Sequence, residues 1–136
     1  KLAALNAVIS LGQIADPQSA GTGQALLLSD DLPIRKAAVV LVSKFSEAMT
    51  VAKGLTTDTD ERKARIGVEV LAEIGSPEAL DAIGPFLTDE RAGVRIEALV
   101  GLNGRAPSAW KQSVLDRRKD PNPLVRAIAA RIDPGR

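Results

Sequence analysis

The sequence repeats one pattern at an interval of thirty residues, and this interval narrows the folds open to the chain. An acidic residue returns at every step of one column, at Asp30, Asp60, Glu90 and Asp120. An arginine returns in a second column, with one extra residue before its last step, at Arg35, Arg65, Arg95 and Arg126. Because separate columns agree in a single register, we predict stacked copies of one supersecondary unit.

Each predicted helix start carries a local signal. A polar side chain followed by proline is typical of a helix N-terminus, because the side-chain oxygen accepts a free backbone N–H and proline needs no donor there. Asp16-Pro17, Ser76-Pro77 and the weaker Ala106-Pro107 are therefore predicted to begin the second helix of a unit. The acidic column is predicted to cap the first helix of the next unit and to favour its positive dipole end.

The apolar residues between these signals recur at helical spacing. In the third unit one stripe consists of Ala64, Gly67, Val68, Leu71 and Ile74. We predict helices at 1–14, 17–28, 32–44, 47–57, 60–74, 77–88, 91–103, 108–118 and 122–132. They form antiparallel pairs in one domain, 1–136, with units 1–29, 30–59, 60–89, 90–120 and 121–136. The predicted fold class is an all-α, right-handed solenoid.

Two features interrupt this pattern. Pro85 lies inside the sixth predicted helix, so a kink is expected there. The second unit departs most, since Glu47 replaces proline and Thr56-Thr57 stands where other units carry Leu or Phe. We expect the second helix of that unit to be short or shifted.

The third and fourth units carry a nameable motif. Ser76-Pro77-Glu78-Ala79-Leu80 through Leu87-Thr88-Asp89-Glu90, then Val94-Arg95 and Ala98, resembles the short HEAT-like repeat of bacteria and archaea, the type also found in phycobilisome lyases. The resemblance covers essentially the whole chain, and it implies a solenoid whose second helices line a concave face. Tetratricopeptide and ankyrin units are of similar size, but their signatures are missing here. HEAT-like repeats serve many unrelated tasks, so the resemblance implies a fold more than a function.

The missing residue types exclude several kinds of site. The chain has no histidine, which removes His–Cys zinc sites, Ser–His–Asp triads and the His–Glu di-iron motif of HEAT-repeat deoxyhypusine hydroxylases. It has no cysteine, so disulfides are absent. The 18 basic and 17 acidic residues give a net charge of +1, which provides no overall field for nucleic acid or an anionic membrane. We predict no catalytic residue, metal or cofactor.

Two short stretches imitate ligand sites. Residues 58–69 match the acidic positions of an EF-hand loop, but Arg62 and Lys63 occupy the places of an oxygen ligand and the turn-forming glycine. Gly21-Thr22-Gly23 imitates a nucleotide loop, although no strand precedes it. We therefore assign neither a calcium nor a nucleotide function.

The arginine column is open to two interpretations, an anion-binding ladder and a structural one. Solenoids commonly link such a residue to the neighbouring unit. We therefore predict a structural ladder, made of Arg35, Arg65, Arg95 and Arg126. On this interpretation, Arg65→Ala and Arg95→Ala each lower the free energy of unfolding by ~1–2 kcal/mol.

The predicted function is a non-catalytic scaffold that binds another protein along the second helices. Helical phase directs several side chains of that face to solvent: Glu78, Asp81, Lys111, Gln112 and Arg118. Basic residues gather beside Trp110 in the fourth unit, which favours a partner with an acidic segment. Trp110 itself occupies a column that suits packing.

Two alternatives stay open. An accessory module of a bilin-lyase-like enzyme would hold a tetrapyrrole in its groove, although only 2% of the residues are aromatic and both His and Cys are lacking. HEAT-like DNA glycosylases bind DNA through basic concave faces with tryptophans. A single Trp and the balanced charge disfavour nucleic acid as the partner here.

The N-terminal helix, 1–14, is apolar and carries few charges. Because terminal solenoid repeats need polar outer faces, we expect the chain to be cut from a longer solenoid or to self-associate through this helix. No apolar run approaches the ~20 residues of a membrane span. We expect a soluble protein without a membrane partner, and we favour the cytoplasm.

Overall fold

The computed structural model describes residues 23–135, and all regular secondary structure within that range is helical. Residues 23–26 are helical, and seven α-helices follow: α1 (Leu32–Ser43), α2 (Ala48–Thr56), α3 (Glu61–Ile74), α4 (Pro77–Ile83), α5 (Ala92–Gly101), α6 (Lys111–Asp116) and α7 (Pro123–Ala129). Short 3₁₀ segments adjoin the second helices at Gly84–Thr88, Ser108–Trp110 and Arg117–Lys119. The predicted helix 1–14, the residues 17–22 and the Asp16-Pro17 signal lie outside the described residues.

The helices pack as a repeating array. The first helices α1, α3, α5 and α7 lie side by side in chain order, each against the next. Among the second helices, α2 packs against α1 and α3, α4 packs against α3 and α5, and α6 packs against the 3₁₀ segment after α4. The predicted all-α solenoid is confirmed.

Polar side chains accept backbone N–H groups at the start of four helices: Asp31 at α1, Asp60 at α3, Ser76 at α4 and Asn122 at α7. The predicted caps at Asp60 and Ser76 are therefore confirmed. Each capping side chain accepts a backbone N–H group that has no partner within the helix.

The rest of the predicted acidic capping column is wrong. The neighbouring Asp31 caps α1 in place of Asp30. Arg91 precedes α5 without a side-chain cap, so Glu90 does not cap that helix. Asp120 lies two residues before the cap of α7 and bonds elsewhere. The column fixes the position of the inter-unit loop, and the helix then begins one to three residues later.

α3 is buried on two flanks. The stripe residues Ala64, Val68 and Leu71 are at most 1% exposed, and Val70, which lies off the stripe, is 0% exposed. The cause is that α1 and α5 both pack against α3. Small aliphatic side chains allow this close helix spacing, and burying them stabilises the array by roughly 25 cal/mol per Å² of apolar surface.

The departure of the second unit has a packing reason. Thr56 is buried, and its hydroxyl donates to the Lys53 carbonyl at 2.9 Å. A Cβ at Gly67 would lie 2.7 Å from Thr56 Cγ2 and 2.9 Å from the Ala52 carbonyl oxygen. Glycine at 67 therefore lets α3 approach the small, hydroxyl-bonded Thr56 of α2. The helical segment is also short, as expected: α2 runs for nine residues without an adjoining 3₁₀ segment, whereas the continuous helical segments Pro77–Thr88 and Ser108–Lys119 each run for twelve.

Candidate functional site

Three of the four column arginines make the same contact. In each, Nη1 donates to the backbone carbonyl six residues earlier: Arg35 to Ser29 at 2.8 Å, Arg95 to Asp89 at 2.8 Å, and Arg126 to Asp120 at 2.7 Å. Each carbonyl lies in the loop before a first helix, so the arginine ties that loop to the helix that follows. This geometry is the kind that a structural ladder needs, and its contribution to stability stays a prediction.

Arg65 does not repeat this contact. Its Nη2 lies 3.2 Å from Glu97 Oε1 on α5, and its side chain is 46% exposed. The carbonyls of the equivalent loop, Asp58 and Thr59, accept from Arg91 Nη1 at 3.2 and 3.3 Å. Arg65 therefore joins two first helices at the surface.

Arg62 and Arg91 form a second set of linking residues that the sequence reasoning missed. Arg62 Nη2 donates to the carbonyls of Leu28 and Ser29, at 2.8 and 2.9 Å, in the loop one unit earlier. Arg91 makes the equivalent contact one unit later. The two arginines are 29 residues apart, so a strict thirty-residue comparison does not align them. The sequence did contain a signal for these contacts, an arginine near the start of two successive first helices.

Arg95 on α5 and Asp120 in the loop before α7 form a buried ion pair. Arg95 Nε and Nη2 each lie 2.9 Å from an Asp120 carboxylate oxygen, and the Asp120 side chain is 0% exposed. Arg117 Nη1 and the Asn122 backbone N–H donate to the same carboxylate, each at 2.9 Å. Burial alone raises the pKa of Asp120, but these donors outweigh it and hold the pKa below its ordinary value. The Asp120 carboxylate therefore has a structural role.

Two of the predicted binding residues lie on α4. Glu78 and Asp81 are both exposed. Glu78 Oε1 lies 3.6 Å from Lys53 Nζ on α2. Asp81 Oδ1 accepts a hydrogen bond from Trp110 Nε1 at 2.8 Å. Both side chains therefore already contact neighbouring second-helix segments.

The other three lie in the fourth unit. Gln112 donates to Asp116 at 2.8 Å. Arg118 donates from Nη2 to the Ile132 carbonyl at 3.3 Å, close to the end of α7. Lys111 is half-buried, and its side chain has no hydrogen bond or ion pair among residues 23–135. Four of the five predicted residues are thus bonded to other residues of the same chain.

Trp110 packs on the turn after α4. The α-helix ends at Ile83 and continues across Pro85 as a 3₁₀ segment, in agreement with the irregularity expected at that proline. A Cβ at Gly84 would overlap the indole ring of Trp110. The ring therefore lies directly against the backbone of the third unit, and Trp110 is a packing residue, as predicted.

A groove of about 300 Å³ crosses the face formed by α1, α3 and α5. Its apolar lining includes Val40 and Val100, which are 41% and 55% exposed. Ala72 on α3, between them in the repeat order, and Gly101 next to Val100 on α5 also line the groove and are small. A Cβ at Gly101 would lie 3.2 Å from Ala72 Cβ, so α3 and α5 approach closely here. This surface is called the first-helix groove below.

The first-helix groove also carries charge. Glu69 Oε2 lies 2.9 Å from Lys36 Nζ, and Glu97 is the partner of Arg65. Glu73 is exposed and has no hydrogen-bonding or ionic partner for its side chain among the residues that the structure describes. Burial, followed by the charge of Glu69, raises the pKa of Glu97, and the bond from Arg65 does not offset this. The groove lining therefore holds three carboxylates and two cations, Lys36 and Arg105.

Comparison with known families decides the family of the chain. A family model of HEAT repeats matches residues 48–132, which is more than half of the sequence. The chain belongs to the HEAT-repeat family. HEAT repeats are helical scaffolds that commonly bind proteins, and the family is generally non-catalytic. A search of curated proteins gives no match. The resemblance to phycobilisome-lyase repeats stays a prediction.

The loops of this HEAT array use their acidic side chains locally. Asp58 accepts the Asp60 backbone N–H at 2.8 Å, and α3 begins at Glu61, so most of the stretch that imitates an EF-hand is helical. The bond from Arg91 is the largest influence on Asp89 and lowers its pKa. Within residues 23–135, no three acidic side chains lie close enough to share a metal ion. In that same range no helix is long and apolar enough to cross a bilayer.

Proposed function

We propose that this HEAT-repeat chain is a non-catalytic scaffold that binds another protein through the first-helix groove. The observation that carries the proposal is the pair of exposed valines, Val40 and Val100, on either side of α3 in a groove rimmed by charged residues. Apolar surface with a polar rim is typical of protein interaction sites. The two valines share a repeat column with Val70, which is 0% exposed on the central helix.

The second-helix face predicted from the sequence is the rival surface. It offers Lys111, and the cluster Arg117-Arg118-Lys119 follows α6. A partner with an acidic segment would suit this face. Most of its predicted binding residues already bond within the chain, which is why the first-helix groove is favoured.

The proposal is tested with peptides selected from a random phage library on the folded protein. The dissociation constant of each enriched peptide is measured by fluorescence anisotropy against the wild type and two variants. Val100→Asp places a charge in the first-helix groove, and because Val100 is 55% exposed we expect the fold to be kept. The matched control on the rival face is Lys111→Glu combined with Arg118→Glu. Circular dichroism verifies that all proteins are folded.

We expect Val100→Asp to weaken binding by at least about tenfold, equivalent to ~1.4 kcal/mol. The double variant should bind as the wild type does. The reverse pattern would move the partner to the second-helix face. Equal binding to all three proteins, or no enriched peptide, would contradict a protein-binding function on either face.

A further inference from the structure

The first-helix groove combines small and apolar residues at its centre. Ala72 and Gly101 leave little side-chain volume where α3 and α5 meet, while Val40 and Val100 flank this point on α1 and α5. A groove of about 300 Å³ is large enough for one bulky side chain and too small for a folded domain. An apolar side chain from a partner would cover apolar surface of this groove that water now contacts.

The charges around that point favour a cation. Glu69 and Glu73 are one helical turn apart on α3, a spacing at which like charges repel. Glu97 faces them from α5, in the same lining. Lys36 and Arg65 are each engaged with one glutamate, which leaves Glu73 as the carboxylate without a counter-ion among residues 23–135.

The remaining cation of the lining is held by backbone. Arg105 Nη2 donates to the Ala72 carbonyl at 2.7 Å, and its Nε donates to the Gly101 carbonyl at 3.0 Å. The Arg105 guanidinium therefore binds the last turns of α3 and α5, where helix carbonyls lack intrahelical partners. Arg105 keeps its charge but forms no ion pair with a carboxylate among residues 23–135, so Glu73 is left for a cation of a partner to pair with.

We infer that the partner of this groove is a peptide segment that presents a bulky apolar side chain next to a lysine or arginine. The apolar side chain occupies the space over Ala72 between the two valines, and the cation pairs with Glu73. This inference rests on the proposed function, because it assigns the chemistry of the partner to the same groove. It also separates the two faces, since the second-helix face would take an acidic segment.

Two designed peptides serve as probes: a fluorescein-labelled amphipathic peptide of leucine and lysine, and its counterpart of leucine and glutamate. Dissociation constants are measured at two salt concentrations with the wild type, Glu73→Lys and Val100→Asp. Glu47→Lys is the matched control, because it reverses an exposed glutamate that precedes α2 and lies outside the groove lining. It reports any loss of affinity that comes only from the change in net charge.

We expect the leucine–lysine peptide to bind at least about tenfold more tightly than the leucine–glutamate peptide. Glu73→Lys should weaken its binding by about tenfold, Val100→Asp should weaken it at both salt concentrations, and Glu47→Lys should leave it nearly unchanged. If Glu47→Lys weakens binding as much as Glu73→Lys does, general attraction explains the result and the inference is overturned.

The failure of this inference can be told from the failure of the proposed function. Phage-selected peptides that lose affinity for Val100→Asp but are acidic would keep the groove as the binding site and overturn the chemistry assigned to its partner. Insensitivity of both the selected and the designed peptides to Val100→Asp would overturn both proposals.

Discussion

Arg95 and Arg65 stand in the same column of the repeat, yet their ion pairs lie in different environments. Arg95 is 10% exposed and makes a two-bonded contact with the fully buried Asp120. Arg65 is 46% exposed and makes one bond of 3.2 Å to Glu97. Exposed ion pairs typically contribute ~0.2–1 kcal/mol, whereas removing one partner of a buried pair destabilises by ~3–5 kcal/mol. A repeat column thus specifies where a residue stands, and its neighbours decide what it contributes.

The acidic partners differ in the same way. The pKa of Asp120 is lowered, because its donors outweigh the effect of burial. The pKa of Glu97 is raised, because burial and the nearby Glu69 outweigh the contact with Arg65. Ionised Asp120 therefore stabilises the folded chain, while ionised Glu97 opposes folding. The contact between α5 and the loop before α7 is stabilised by the charge of its carboxylate, whereas the contact between α3 and α5 forms although the charge of Glu97 opposes folding.

The largest expected effect is that of Arg95→Ala. The substitution leaves Asp120 buried with only Arg117 and the Asn122 N–H as donors, and we expect the free energy of unfolding to fall by ~3–5 kcal/mol. Urea denaturation at neutral pH measures it. Arg131→Ala, which removes an exposed arginine from the terminal unit, is the control and should change stability by less than ~0.5 kcal/mol. A loss below ~1 kcal/mol for Arg95→Ala would mean that Arg95, like Arg65, contributes no more than an exposed ion pair does.

The second effect concerns what does hold the third and fourth units together. A methyl group at Gly84 cannot coexist with the present position of the Trp110 ring. Gly84→Ala should therefore displace the indole, break its hydrogen bond to Asp81 and destabilise the chain by ~1–3 kcal/mol. Because the chain has one tryptophan, a red shift in its fluorescence reports the displacement directly. Gly54→Ala is the control, since a Cβ at Gly54 would have nothing within 4 Å.

An unchanged emission spectrum with Gly84→Ala would mean that the added methyl group is accommodated without displacing the indole. In that case the Trp110 contact would not explain how the third and fourth units hold together, and Arg65 would contribute more to that contact than its exposure indicates.

Local signals account for the part of the molecule that was predictable from the sequence. Ser76-Pro77 begins α4 where a cap and a proline agree, and the stripe through Ala64, Val68 and Leu71 is buried as its spacing predicts. These properties depend on residues a few positions apart, so a single unit contains the information. The solenoid follows from their repetition.

Contacts between units were harder to predict, because they depend on small offsets. Arg62 and Arg91 perform the same task one residue out of register, and Asp120 is buried while its column neighbour Asp60 caps a helix in solvent. The first-helix groove joins Val40, Ala72 and Val100 from three units. Its depth depends on how far the helices approach, which no single repeat encodes.

The third effect is small by design. Arg65→Ala removes one bond between an exposed side chain of α3 and Glu97 on α5, and we expect the free energy of unfolding to change by less than ~1 kcal/mol. The measurement is the same urea titration as for Arg95→Ala, so the two losses can be compared directly. Arg65→Lys, which keeps the charge near Glu97, separates the loss of charge from the loss of side-chain packing. Equal losses for Arg65→Ala and Arg95→Ala would restore the uniform ladder that the sequence predicts.

The smallest effect tests the sign of the Glu97 contribution. A carboxyl group whose folded pKa is raised adds stability below its unfolded pKa, and this stability is lost as the pH rises through the folded pKa. The window therefore lies between the ordinary glutamate value of 4.5 and the raised value of Glu97. Glu97→Gln keeps an oxygen that can accept from Arg65 and removes the charge that faces Glu69. At neutral pH the variant should melt at or slightly above the wild-type temperature, and the difference should shrink as the pH falls towards 4.5.

For Asp120→Asn the sign is opposite. A carboxyl group whose folded pKa is lowered stabilises the fold above its ordinary value of 3.8, and this stability is lost in more acidic solution. That variant should be less stable than the wild type at neutral pH and approach it only in strong acid. If both variants shift the melting temperature in the same direction at neutral pH, the Glu97 and Asp120 carboxylates do not differ in the sign of their contribution to stability.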